Sequence, residues 1–460
     1  MHPAAHTEPA GGGPFLRMVR IQGGAMEDRH LSLITLAKLA TGRIGVEEIQ
    51  QLVIPHLVAV CPGCREIHQE LQRLKQEVGH WDELVVVMEG LDAPELWQRL
   101  QLLPYDQQLR QVEDDGGLQT WALCRLLLRK SLEATLNRPD LAVQLAFLAV
   151  KIAAHLGEAY HRDWVMDLRA LAFAYLGNAR RVVGELQSAA DAFHDAHSYL
   201  RRSGTGNPRV EVEILNLEAS LLRGERRFDA ALELLERVIA TYTSEDPEVC
   251  DLHLAGRALV KKAYILEQMG DVEQAIAVLR EATPLVVEER DPRLVLCLRH
   301  NLVWFLPAAG KSEEAAALLP EVKEIALRLG NDLDLVRLRW AEGRVAFGSG
   351  QRGPAEQAFK EVQREFLERD MGYDAALVSL DLAILYAQEG CILELKQLAL
   401  DILPVFSSRE VHREAMAALL LFQHACQEER LTVELARQLA SLLAREKPHA
   451  IVRRGLAGPG

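Results

Sequence analysis

The segment Ile54–His68, IPHLVAVCPGCREIH, places His56 five residues before Cys61 and sets Cys61 and Cys64 in C-x-x-C spacing. Imidazole nitrogen and thiolate sulfur are zinc donors, and a C-x-x-C pair also closes the disulfide of redox proteins. A third reading is two ordinary buried thiols beside an unrelated histidine. Redox chemistry of the thioredoxin kind needs a strand and a βαβ unit around the pair, whereas the preceding RIGVEEIQQLVIPHL reads as a helix. A structural zinc needs a fourth nitrogen or sulfur ligand to close its tetrahedron. His30 and His68 are the candidates near enough in sequence.

No reaction is legible elsewhere. The triplet Gly310, Lys311, Ser312 lacks the glycine that a phosphate loop needs five residues earlier, where Phe305 stands; no strand leads into it, so it reads as a turn. The chain holds no H-E-x-x-H and no G-x-S-x-G, and isolated histidines such as His253, His300 and His424 read as surface or core residues. The expectation is a protein that is not an enzyme.

The bulk properties narrow the partners. A net charge of −14 over 460 residues opposes sequence-independent binding to nucleic acid or to an anionic membrane, since both need a cationic surface. Five of the seven cysteines are isolated (Cys124, Cys250, Cys297, Cys391, Cys426), which is not a disulfide framework and points to a reducing, cytoplasmic address. Residues 1–29 are rich in Gly, Pro and Ala, with no apolar core of a signal peptide, and are expected to be a disordered tail; Met26 is an alternative start. The longest apolar run, LAVQLAFLAVKIAAHL at 141–156, is interrupted by Gln144 and Lys151 and is too short to span a bilayer.

The elements that hold these residues are helices. Aromatics are only 5% of the chain, and its abundant Leu, Ala, Glu, Arg and Gln lose little rotamer freedom in a helix. From about residue 117 an apolar-periodic segment of four to five turns ends at a glycine or polar turn, and a second follows it. The clearest turns are GDVEQA (270–275), GKSEEA (310–315), GQRGPA (350–355) and GCILEL (390–395); RRFDAA (226–231) and ELQSA (185–189) are less regular copies. Aligned on the residue five past the turn, the units fall at Ala189, Ala231, Ala275, Ala315, Ala355 and Leu395, spaced 42, 44, 40, 40 and 40 residues apart. Such a period marks a helical solenoid. Alanine suits the aligned position because the second helix passes close to the first there.

The following A-x-x-x-F/L-x-x-A/V pattern (Ala189, Phe193, Ala196; Ala275, Leu279, Ala282; Ala355, Phe359, Val362) resembles the tetratricopeptide repeat, stretched beyond that family's usual length. The resemblance implies an all-α fold: a right-handed α-solenoid of helix-turn-helix repeats over 117–446, with a connecting helical segment at 79–116 and a tail at 447–460. It also implies a concave face lined by the first helix of each pair. That register puts Asn178 and Arg181, then Asn216, Ser220 and Arg223, then Arg257 and Tyr264 on the groove. His300 and Trp304 follow, then Arg337, Trp340 and Arg344. A face of arginines and aromatics in an acidic chain suits a protein or peptide ligand that is acidic with apolar anchors. Arginine stems covering apolar surface are the other reading of the same face.

The N-terminal string His30-x25-His56-x4-Cys61-x2-Cys64, with LATGRIGVEEIQQ between, resembles the zinc-binding anti-sigma factor domain. This chain has four residues between His56 and Cys61 where that family has three. The resemblance implies a small zinc-stapled helical domain over 30–78, with His30, His56, Cys61 and Cys64 closing on one structural zinc. Four protein ligands leave no open position for catalysis. The leading expectation is a cytoplasmic interaction scaffold or sensor that joins this zinc module to a peptide-binding solenoid. The alternative is a bacterial anti-sigma factor whose zinc module sequesters an extracytoplasmic-function sigma factor.

Overall fold

The computed structural model describes residues 81–135, 138–157, 160–407, 420, 422–428 and 431–445. Every regular element among them is helical. In chain order they are α1 (Trp81–Leu100), α2 (Tyr105–Asp114), α3 (Trp121–Ala134), α4 (Pro139–His155), α5 (Arg162–Val182) and α6 (Leu186–Arg202). Then come α7 (Pro208–Gly224), α8 (Phe228–Tyr242), α9 (Leu252–Met269), α10 (Val272–Ala282), α11 (Pro292–Phe305) and α12 (Ser312–Leu329). The last are α13 (Asp332–Gly348), α14 (Arg352–Glu368), α15 (Gly372–Gln388), α16 (Ile392–Ser407) and α17 (Val433–Arg445).

Short oxygen-bearing side chains start these helices. Asp251, Asp271 and Asp291 accept hydrogen bonds from the backbone N–H groups of Leu254, Gln274 and Leu294, which caps α9, α10 and α11. Pro208 and Pro292 occupy first helical positions, where the missing N–H costs no hydrogen bond.

The described residues divide into two compact units, one from 81–128 and 147–165, the other from 129–146 and 166–445. In the first, the buried Glu89 carboxylate accepts from the Tyr160 hydroxyl at 2.7 Å, and the Tyr160 oxygen accepts from the Trp121 backbone N–H at 3.0 Å. The Trp121 ring packs 6.0 Å from Tyr160 and 6.5 Å from Trp164. This polar knot sits among apolar side chains, where an unpaired carboxylate would be costly.

The second unit is a stack of helix hairpins. The pairs α7/α8, α9/α10, α11/α12, α13/α14 and α15/α16 each pack within themselves, and each packs on the next pair. Ala189, Ala231, Ala275, Ala315 and Ala355 are all fully buried, the place that their spacing gives them. Closer approach still is made at Gly343, where an added Cβ would stand 2.7 Å from the Phe359 ring. Gly270 and Gly310 end their helices in the left-handed conformation (φ 91° and 73°), as the turn sequences require. The irregular copy keeps the turn without the glycine: Arg226 takes φ 60° at the equivalent position.

Candidate functional site

Within the second unit, the first helices of successive hairpins leave a groove of about 680 Å³. Eight of the residues placed on the concave face by the register line it: Ser220, Arg223, Tyr264, His300, Trp304, Arg337, Trp340 and Arg344. Six cationic side chains (Arg223, Lys261, Arg293, Arg337, Arg344, Arg437) face four acidic ones (Glu267, Asp334, Asp374, Asp381). The groove is thus locally cationic in a chain of net charge −14.

Its two ends differ. Around α11, α13 and α15 the charges are internally matched. Arg293 forks onto the buried Asp334, with Nη2 to Oδ1 at 2.8 Å. Burial lowers the pKa of Arg337, against the attraction of Asp374 and Asp334. The Trp340 indole N–H donates to Asp381 Oδ2 at 2.7 Å. Burial raises the Asp381 pKa, while Arg344 and that hydrogen bond lower it.

Rings stack along the same end. His300 lies nearly parallel to Trp304 at 6.1 Å, and the Arg344 guanidinium stands 4.2 Å from the Trp304 ring centre. Trp304 meets Trp340 edge-on at 4.8 Å, and Trp340 meets Phe366 at 5.7 Å. Burial, then the nearby Arg337 charge, pulls the His300 pKa down to about 4, so the imidazole is neutral at pH 7. Its Nε2 has no hydrogen-bond partner.

At the other end, around α7 and α9, cations lack such partners. Arg223 makes no ion pair among the described residues; its guanidinium lies 5.0 Å from the Tyr264 ring centre and its buried Nε is unpartnered. The Lys261 Nζ donates to Asn216 O at 3.0 Å and Asn216 Oδ1 at 2.7 Å.

The remaining register positions fall elsewhere. Asn216 holds Lys261 from outside the groove lining, and Arg257 is paired with Asp291 at 2.5 Å. Asn178 and Arg181 are buried, at 4% and 2% exposure, and are bonded to each other. One turn before Arg181, Gly177 lets the Phe193 ring of α6 approach α5 closely: an added Cβ would stand 2.9 Å from it. Trp340 lines the groove but is itself only 6% exposed and belongs to the core with Phe366.

Lys261, Asp374 and Asp381 are groove residues that the register did not supply. Lys261 lies four residues after Arg257 and three before Tyr264, so helical spacing alone marks its face. The aspartates lie on α15, one hairpin beyond the last unit to which the register was applied.

His30, His56, Cys61 and Cys64 lie outside the described residues. Among the described residues no cluster of His, Cys, Asp or Glu is placed to hold a metal, and no helix is long and apolar enough to cross a membrane. Burial pushes the thiols of Cys124 and Cys426 up to about 12 and that of Cys297 to about 11, which leaves them packing residues rather than nucleophiles.

Residues 256–283, covering most of α9 and all of α10, match the tetratricopeptide repeat family. The hairpin stack is tetratricopeptide-like. Among solved structures, aspartyl phosphate phosphatase F from Bacillus subtilis matches with a TM-score of 0.50 at 12% identity, over 83% of this chain and 96% of that one. A Rap protein complexed with competence and sporulation factor matches with a TM-score of 0.49 at 14% identity, over 72% and 96%. BtubC from P. vanneervenii matches with a TM-score of 0.41 at 19% identity, over 49% and 90%. At these identities the first likeness speaks for the fold alone. No curated protein sequence matches the chain significantly.

Proposed function

We propose that the chain is a non-enzymatic cytoplasmic scaffold or sensor that holds a segment of another protein in the tetratricopeptide-like groove. The segment is acidic and carries apolar anchors. The observation behind this reading is the groove itself: a locally cationic lining, with the partly open Trp304 ring set between charged and aromatic neighbours, in an acidic chain. Such a surface attracts carboxylates at long range and buries an apolar side chain at contact.

The test presents the full chain with short peptides rich in Glu and Leu, and with a second pool in which Lys replaces Glu. The acidic pool should bind and the basic pool should not. Its affinity should fall as salt rises, because exposed charges are screened over about 8–10 Å at physiological ionic strength, and level off at an apolar remainder. Equal binding of both pools, or none of either, would sink the reading.

A zinc staple at His30, His56, Cys61 and Cys64 is proposed on sequence spacing alone. One equivalent of zinc in the purified chain, lost in Cys64→Ser, is expected. The alternative function, sequestration of a sigma factor by that module, rests on the same residues and falls if they bind no zinc.

A further inference from the structure

The cationic end of the groove contains a lysine with no counter-ion. Lys261 projects from α9 into the groove, half-buried, and its two hydrogen bonds go to neutral oxygens of Asn216 on α7. An ammonium has three N–H donors, so one is left for a ligand. The charges acting on it are both positive: Arg257 on its own helix and Arg223 on α7. Arg257 is already paired with Asp291, and Arg223 lies against Tyr264. Folded proteins rarely keep a buried cation without an anion, because desolvation is then uncompensated. Ser220, one turn on from Asn216, lines the same end and adds a hydroxyl donor.

We propose that Lys261 is the anion-binding point of the groove and that it takes a Glu or Asp carboxylate of the bound segment. This rests on the reading of the groove as a receptor for an acidic segment. A carboxylate suits the single N–H that Lys261 has left, and a phosphorylated segment is the alternative that the experiment separates.

Burial, then Arg257 and Arg223, pulls the Lys261 pKa down to about 7, so at neutral pH a fraction of the chains carry it uncharged. An arriving carboxylate favours the ammonium, and binding takes up a proton. Affinity is then highest below pH 7 and falls as pH rises through it, by at most about tenfold per pH unit. Glu and Asp of the ligand stay ionised throughout this range.

The experiment measures binding of a fluorescent Glu/Leu peptide to the full chain between pH 6 and 9, for the wild type and for Lys261→Arg, Lys261→Met and Trp304→Ala. The wild type should weaken steadily above pH 7. Lys261→Arg should bind at every pH with little slope, because arginine keeps its proton. Lys261→Met should bind about tenfold more weakly at pH 6, as expected for a lost charge-assisted hydrogen bond, and show no slope.

A labelling arm avoids dependence on the folding of any variant. With limiting acetylating reagent at pH 7, Lys261 of the wild type should react ahead of Lys262, which is paired with Glu236. The Glu peptide should protect it and a Gln counterpart should not. A peptide that binds, loses affinity in Trp304→Ala and ignores both Lys261 variants would overturn the inference and leave the groove reading standing. Protection by a phosphoserine peptide alone would overturn the carboxylate assignment. No binding of any acidic peptide would remove the groove reading and this inference with it.

Discussion

The two ends of the groove treat buried charge in opposite ways. Around α11, α13 and α15, cations meet carboxylates of the same chain: Arg293 with Asp334, Arg337 near Asp374, and Arg344 near Asp381. Around α7 and α9, Lys261 and Arg223 have only neutral oxygens and a ring. The matched end supplies its cations with carboxylates, although His300 Nε2, Arg293 Nε, Arg337 Nη2 and Asp374 Oδ2 stay buried there without a hydrogen-bond partner. What sets the α7 and α9 end apart is that no carboxylate of the chain is paired with Lys261 or Arg223 among the described residues.

Trp340 and Trp304 give the largest test of this contrast. Trp340 is core as well as wall, so Trp340→Ala should lower the free energy of unfolding by about 3–5 kcal/mol. Trp304→Ala should do much less to folding, and instead cost about 2 kcal/mol of affinity for an acidic, apolar peptide. Urea denaturation of both variants, beside the binding measurement, separates the roles. Equal destabilisation would erase the distinction.

Charge removal should then split the ends by sign. Asp334→Asn strips a buried partner from Arg293 and should destabilise by about 3 kcal/mol, the usual cost of leaving such a charge alone. Lys261→Met removes a cation that has no carboxylate and should raise the urea midpoint of the ligand-free chain.

The smallest effects are in the pH profile of stability. His300 titrates near 4 when folded and near 6.5 when unfolded. The unfolded chain therefore binds more protons between these values, and stability contributed by this group is lost as pH falls from 6.5 toward 4. Lys261 titrates near 7 when folded and near 10.5 when unfolded, so the unfolded chain again holds more protons, and stability rises with pH across that window. Denaturation midpoints of His300→Gln and Lys261→Met should lose the acid and the alkaline slope respectively.

Much of the hairpin stack was legible in the sequence, because its determinants are local. The alanines that let helices meet recur at near-constant spacing, and glycines mark most turns. Arg226 shows the limit: the fold imposes a left-handed turn where the residue type gives no sign of it. From Ser220 to Arg344 the register placed most of its residues on the groove lining, but not Arg257, which is paired with Asp291. The groove was not legible at Asn178 and Arg181, which the folded chain buries and bonds to each other. Nor could register alone separate Trp304 from Trp340. That difference depends on Phe366 and Asp381, which come from later helices and meet Trp340 only in the folded chain.

The neighbouring rings of Trp304 and Trp340 would also answer to different selective pressures as the protein diverges. Position 340 serves folding and groove at once, so in descendants of this chain it should tolerate little beyond another large aromatic able to reach Asp381. Position 304 is part-exposed in the groove and, on the proposed reading, is freer to change with the partner. A change of partner would therefore be written first at 304 and in the residues around Lys261, while the wall behind them stays the same.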